Sequence, residues 1–200
     1  MVLFLNLWIK LFFVLTPFFG LTMFLGMTEK YDEPRRRKLA LAVSAATAAL
    51  CFLLFLAGKQ LFSLFGITLD SFRIGAGVLL LLSGIELVHT SKTGTSDSAP
   101  GGDVAVVPLA IPIIVGPATT GTLLVMGAEL NTLSANIIGC LSLLSAVASM
   151  AAVLLAGSFI QRCLRARGIA ILSKLTGLIL TALAAQMIMT GIQGFLGIQP

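Results

Sequence analysis

Apolar residues in this chain fall into six long runs separated by short polar stretches. The runs cover about Val2–Met27, Leu39–Gly58, Phe72–His89, Val104–Ala128, Ala135–Ile160 and Leu175–Leu196. Each approaches or exceeds the roughly 20 residues that carry a helix across the hydrocarbon core of a bilayer. The pattern predicts six membrane-spanning helices. Asp70 or Ser71 is the expected N-cap of the third. The first run is read as a retained helix, because no basic stretch precedes it and no A-x-A site follows it. Between the runs lie two basic loops, Thr28–Lys38 and Gln161–Lys174. A Gly-, Ser- and Thr-rich stretch, Thr90–Asp103, is the predicted flexible linker.

Composition agrees with this reading. Of 200 residues, 58% are hydrophobic and 10% are charged. A soluble domain runs at about 45–50% apolar and about 25% charged, so disorder, a coiled coil and an ordinary cytosolic enzyme are excluded. The length leaves no room for a separate soluble domain beside six spans. Cys51, Cys140 and Cys163 are isolated and read as small apolar residues. His89 is the only histidine, and neither a metal nor a cofactor is expected.

Charge turns the spans into a topology. The net charge is +5, but the basic residues are clustered, which marks membrane orientation and not a nucleic-acid surface. Placing the first loop in the cytoplasm puts Lys30, Arg35, Arg36, Arg37, Lys38, Lys92, Arg162, Arg165, Arg167 and Lys174 on the inner side. Lys10, Lys59 and Arg73 remain near the outer side. The positive-inside rule then directs both termini outward.

The proline-bearing runs are the first and the fourth. The first contains Thr16-Pro17-Phe18-Phe19-Gly20, and the fourth contains Pro108, Pro112, Gly116 and Pro117. Each opens a triplet of runs. Arg73-Ile74-Gly75-Ala76-Gly77 in the third is echoed by Lys174-Leu175-Thr176-Gly177 in the sixth. The expected architecture is all-α, two inverted three-helix repeats with helices 1 and 4 broken at Pro/Gly. The first repeat is 1–89, the linker 90–103 and the second repeat 104–200. Interrupted segments at matching positions of inverted repeats point to a transporter's binding site. A proline removes one helical hydrogen bond, and in lipid the freed carbonyls need protein or a water-lined cavity. A broken helix presents N–H groups that suit a carboxylate. Its carbonyls suit an ammonium group. The candidate substrate-binding residues are therefore Thr16, Pro17, Gly20, Pro112, Gly116, Pro117, Thr119 and Thr120, with Gln186 as a hydrogen-bonding partner from the sixth run.

These residues resemble those of the MarC family of polytopic membrane proteins, which includes small neutral amino acid transporters. The family's fourth-segment pattern P-L-A-x-P-x-x-x-G-P-G-T is matched at Pro108, Leu109, Ala110, Pro112, Gly116, Pro117 and Thr119. Weaker matches are Phe72, Arg73, Ile74, Ala76 and Gly77 in the third segment, and Gly177, Leu178, Leu180, Gln186, Ile188, Gly191 and Ile192 in the sixth. The chain departs from the pattern at three places: Thr16 stands where Asn is usual, Ala76 where Gly is usual, and Ala118 where Gly is usual. The resemblance implies a secondary transporter moving glycine, alanine or serine by alternating access in a bacterial or archaeal plasma (inner) membrane. Its partners would be the substrate, the lipid bilayer and a coupling ion (proton or sodium), with a homo-oligomer as a further arrangement and no nucleic acid.

Other residues have structural readings beside functional ones. Glu86 is the one acidic residue well inside a run, and so the candidate for proton coupling. It also lies one turn before His89, from where it can reach the interface. Arg73 reads as an anchor or as a partner of Asp70 one turn away. Lys10, behind Trp8, reads as an interfacial anchor. Ser142, Ser145, Ser149 and Gly157 are small residues that permit close helix packing. No GxxxxGK[ST], HExxH or GxSxG occurs, so neither an ATP-driven pump nor a hydrolase is expected. The alternative to a transporter is a non-transporting regulatory or assembly protein of the membrane.

Overall fold

The computed structural model of the chain describes residues 2–29, 31–89, 115–130 and 132–197. All regular structure among them is helical. The helices are α1 (Val2–Val14), α2 (Pro17–Met27), α3 (Glu33–Phe65), α4 (Leu69–His89), α5 (Pro117–Glu129), α6 (Leu133–Leu155) and α7 (Gly157–Phe195). Five stretches among the described residues are long and apolar enough to cross a membrane, with α1 and α2 counted together as Val2–Met27. Residues 104–114, which open the fourth predicted span, lie outside the described residues, as does the predicted linker 90–103.

The side-chain bonds sort the helix ends into two groups. At one end, Arg36 near the start of α3 donates to Ser158 of α7 at 2.9 Å, and Ser158 donates to Glu33 at 2.7 Å. Arg36 also donates to the carbonyl of Thr28, just past α2. At the opposite end, Lys59 of α3 donates to the carbonyl of Leu130 beyond α5, and Arg73 of α4 pairs with Glu129 of α5. Acidic residues occur at both ends: Glu33 lies among the arginines, and Asp70 and Glu129 both bond Arg73 at the other end. Between the two ends, large apolar side chains such as Leu53, Leu82, Leu144 and Leu178 are more than half exposed around the outside. In water such a surface would drive association; in a bilayer it meets lipid tails.

Helix packing in lipid relies on close backbone approach, since tails are as apolar as leucine. The most extensive seam is between α4 and α7, which run antiparallel. A Cβ on Gly84 would lie 2.9 Å from the carbonyl of Gly177, and one on Gly177 would lie 2.7 Å from that of Gly84. A turn or two further along, Gly77 meets Ala184 and Ile188. The contacts Gly77–Ala184 and Gly84–Gly177 are exchanged when one partner is shifted by one hundred residues and the other shifted back. The approach of Gly58 to Leu124 has a counterpart in that of Gly157 to Leu25, within one residue of the same shift.

Several boundaries differ from the sequence reading. α3 starts at Glu33 and ends at Phe65, well beyond Leu39–Gly58. At about 1.5 Å per residue its 33 residues span roughly 50 Å, longer than the roughly 30 Å hydrocarbon core. The apolar run marks only the part in contact with lipid, and Arg, Lys and Glu extend a helix into water without penalty. For the same reason the predicted loop Gln161–Lys174 is helical, part of α7. The N-cap of α4 is neither Asp70 nor Ser71: the hydroxyl of Thr68 accepts from the Ser71 N–H at 3.3 Å, and both predicted caps lie inside the first turn.

Candidate functional site at the two proline-led helix starts

α1 and α2 are separated by Leu15 and Thr16. The Leu15 N–H still reaches the Leu11 carbonyl, and the Thr16 N–H closes a tighter turn onto Phe13. The chain then turns through Thr16 at φ 46 and ψ 55, the left-handed region, before Pro17 opens α2. With 13 and 11 residues, α1 and α2 each cover about half the bilayer, which sets the interruption near mid-depth. α5 repeats the pattern. Gly116 is extended at φ −81 and ψ −178, Pro117 is the first helical residue, and 13 residues lead to Glu129 at the opposite end.

The two starts are built alike. Their prolines, Pro17 and Pro117, are one hundred residues apart. Gly20 N–H bonds the Thr16 carbonyl at 2.9 Å, and Thr120 N–H bonds the Gly116 carbonyl at 2.9 Å. Neither start carries a side-chain cap. First-turn N–H groups lack helical acceptors and carry the positive end of the helix dipole. At mid-depth no bulk water is at hand to meet them.

Both starts border one cavity of about 240 Å³. Thr16 and Phe19 come from the first, and Gly116, Pro117, Ala118 and Thr119 from the second. The other walls are Val14 of α1, Leu80, Ser83, Glu86 and Leu87 of α4, and Leu180 of α7. Thr119 links the α1–α2 interruption to the start of α5 directly. Its hydroxyl donates 3.2 Å to the carbonyl of Val14, the last residue of α1. Thr119 is buried, 4% exposed, so the carbonyl at the end of α1 is satisfied by a side chain from the first turn of α5.

A second, larger cavity of about 450 Å³ lies toward the opposite end. Its polar lining is Lys10 of α1, Arg73 of α4, Thr122 and Glu129 of α5, and Gln186 and Thr190 of α7. Arg73 reaches Glu129 with Nε at 2.9 Å and Nη2 at 2.8 Å, and its Nη1 bonds Asp70. Val14 and Leu80 line both cavities. They are 2% and 1% exposed and pack with Ala118, Leu180 and Ala184, forming a thin apolar wall between the two spaces.

The sequence candidates are distributed accordingly. Thr16, Gly116, Pro117 and Thr119 meet at the smaller cavity, joined by Glu86. Gly20 is buried and Pro17 packs in the core; neither lines the cavity, and Gly20 serves the helix ladder. Thr120 likewise begins the ladder of α5. Gln186 lies in the larger cavity, away from the breaks. Pro112 lies outside the described residues. Lys10 borders the larger cavity, while Trp8 donates to Ser149 of α6 at 3.3 Å. Ser142 donates to the Phe4 carbonyl, so the serine face of α6 holds α1. The Arg73–Glu129 pair joins residues 56 apart in sequence, and no local spacing rule reveals it. Ala76, one of the departures from the family pattern, faces Gly121: a Cβ there would lie 2.7 Å from that of Ala76. The methyl gained on α4 is thus accommodated by a glycine on α5.

An all-helical bundle with this lipid-facing surface is a polytopic integral membrane protein. The chain belongs to the MarC family of integral membrane proteins, whose model it matches over residues 1–196. It is 31% identical over 195 residues to a UPF0056 membrane protein of Methanocaldococcus jannaschii, covering 94% of each chain. It is 32% identical over 196 residues to one from Pyrococcus abyssi, covering 96% of this chain and 95% of the relative. The UPF0056 inner membrane protein YhgN of Escherichia coli is 30% identical over 187 residues, with 92% and 93% covered. No solved structure matches the chain.

Proposed function

We propose that the chain is a secondary transporter, and not an enzyme, that moves small neutral amino acids by alternating access. The reading is carried by one observation: two uncapped, proline-led helix starts, one hundred residues apart, open onto a single cavity. A substrate carboxylate would take the first-turn N–H groups of α2 and α5, as anions do at helix N-termini. The Thr16 hydroxyl and the Ser83 wall supply directional polar contacts, and Glu86 is placed to face the ammonium group. A volume of about 240 Å³ suits glycine, alanine or serine better than a large side chain.

The exchange symmetry of the α4–α7 contacts supports two inverted units, residues 1–89 and 104–200 joined by 90–103, each contributing one interrupted segment. Alternating access then amounts to moving the Val14–Leu80 wall so that the substrate site communicates with one cavity or the other. Glu86 is the proposed proton-coupling group, with sodium as the other coupling ion. YhgN is an inner membrane protein, which supports the same location here, and the clustering of arginines at one end supports an orientation with both termini outside.

Flux into proteoliposomes tests the reading. Saturable uptake of glycine, alanine or serine is expected. In Glu86→Gln the flux should fall, because the ammonium contact is lost, and what remains should no longer respond to an imposed pH gradient. Folded protein that carries none of the three solutes would overturn the substrate assignment.

A further inference from the structure

The larger cavity has the chemistry of a binding site in its own right. Four formal charges gather at it: Lys10 and Glu129 on its walls, and Arg73 bonded both to Glu129 and to Asp70. They sum to zero. The chain has only 21 charged residues in total, 13 basic and 8 acidic, so four at one cavity is a marked concentration. Charges this close to the lipid are costly unless they pair or serve a ligand. Arg73 is satisfied by two carboxylates. Lys10, on α1, brings an ammonium group to the same space from another side, and Gln186 and Thr190 add an amide and a hydroxyl from α7. Apolar side chains of Leu183, Met187 and Val125 complete the lining. A net-neutral field with separated plus and minus poles matches a zwitterion and disfavours a simple anion or cation, each of which would leave one pole unmet.

We propose that this cavity is a second amino acid site. Lys10 receives the carboxylate, Glu129 receives the ammonium group, and Gln186 contacts the ligand between them. It is divided from the smaller cavity by the apolar wall of Val14 and Leu80, which line both spaces. Its volume of about 450 Å³ lies within the usual range for ligand pockets and admits a neutral amino acid with room for an apolar side chain. The choice of a zwitterion as ligand rests on the transport reading above; the position and charge of the cavity do not. In a transport cycle this site would hold solute at one face before or after passage through the wall. Glu129 would exchange part of its pairing with Arg73 for the ligand ammonium.

Saturation binding of radiolabelled alanine to the full chain in lipid nanodiscs tests this. Two alanines per chain are expected for the wild type. Lys10→Gln and Glu129→Gln should each leave one, and Thr119→Val should remove the other. Lys10→Gln leaves the Asp70–Arg73–Glu129 bonds in place, so it separates ligand contact from disruption of the ion pairs. In Thr119→Val the remaining alanine should resist a hundredfold excess of propionate or ethylamine, each of which carries only one of the two charges. One alanine per chain, unchanged by Lys10→Gln and Glu129→Gln, would overturn the second site and leave the transport reading standing. Displacement by propionate alone would overturn the zwitterion assignment. A Lys10-dependent alanine in protein that shows no flux would support the second site while counting against transport. Absence of any bound alanine would overturn the second site, and flux in proteoliposomes would judge transport separately.

Discussion

Thr16 is the one non-glycine position with positive φ among the described residues. A left-handed conformation costs an L-residue about 1–2 kcal/mol, and a β-branched side chain fits it poorly. Asn enters this region far more readily, and Asn is the residue that the family pattern carries here. Thr16→Asn should therefore raise stability by about 1 kcal/mol, read as a higher unfolding midpoint in detergent; an unchanged or lower midpoint would contradict the strain. Thr119 illustrates the opposite kind of residue, one whose polar group is fully used. Its hydroxyl closes the buried end of α1 through the Val14 carbonyl. Thr119→Val should cost about 1–3 kcal/mol, because it leaves a buried carbonyl unpaired, and should abolish uptake. Thr119→Ser should retain both stability and most of the flux. Equal behaviour of the two variants would show that the hydroxyl does not matter.

At the scale of elements, the apolar runs revealed which stretches meet lipid but not how long the helices are. Glu33–Lys38 and Gln161–Lys174 read as loops because they are charged, yet charged residues at a membrane surface are good helix formers with their side chains in water. The interruption at Thr16-Pro17 was legible because proline has no N–H to donate. The same logic marked Gly116-Pro117. What could not be read was which other helices face the breaks. Polarity alone groups Gln186 with them, but the face of α7 that bears it turns toward the cavity lined by Lys10 and Arg73. The Val14–Leu80 wall was equally invisible, since both residues are ordinary members of apolar runs, and only their meeting with Ala118, Leu180 and Ala184 in one buried cluster gives them a role. That wall yields a prediction at this scale. Leu80→Ala removes the largest side chain between the cavities, at a typical cost of about 2–5 kcal/mol for a buried leucine. In protein that still folds, it should raise the uncoupled leak of alanine down its gradient. A leak equal to that of the wild type would mean that Leu80 is not a barrier.

On the scale of the whole molecule, the two cavities lie toward opposite ends of the bundle and are separated by one apolar layer. The smaller is bordered by both proline-led starts, and the larger by the Arg73 ion pairs that tie α4 to α5. Gly77–Ala184 and Gly84–Gly177 are related by a shift of one hundred residues. On the proposed transport reading, two inverted halves would exchange roles, so that whichever cavity is open in one state is closed in the other. Paired reactivity of cysteines placed on the two sides of the wall tests this most directly. In a chain whose Cys51, Cys140 and Cys163 are replaced, Ser83→Cys reports on the smaller cavity and Met187→Cys on the larger, using a water-soluble thiol reagent applied with and without alanine. Changes of opposite sign on adding alanine are predicted, one site becoming more reactive as the other becomes less. No change at either position, or changes of the same sign at both, would contradict alternating access.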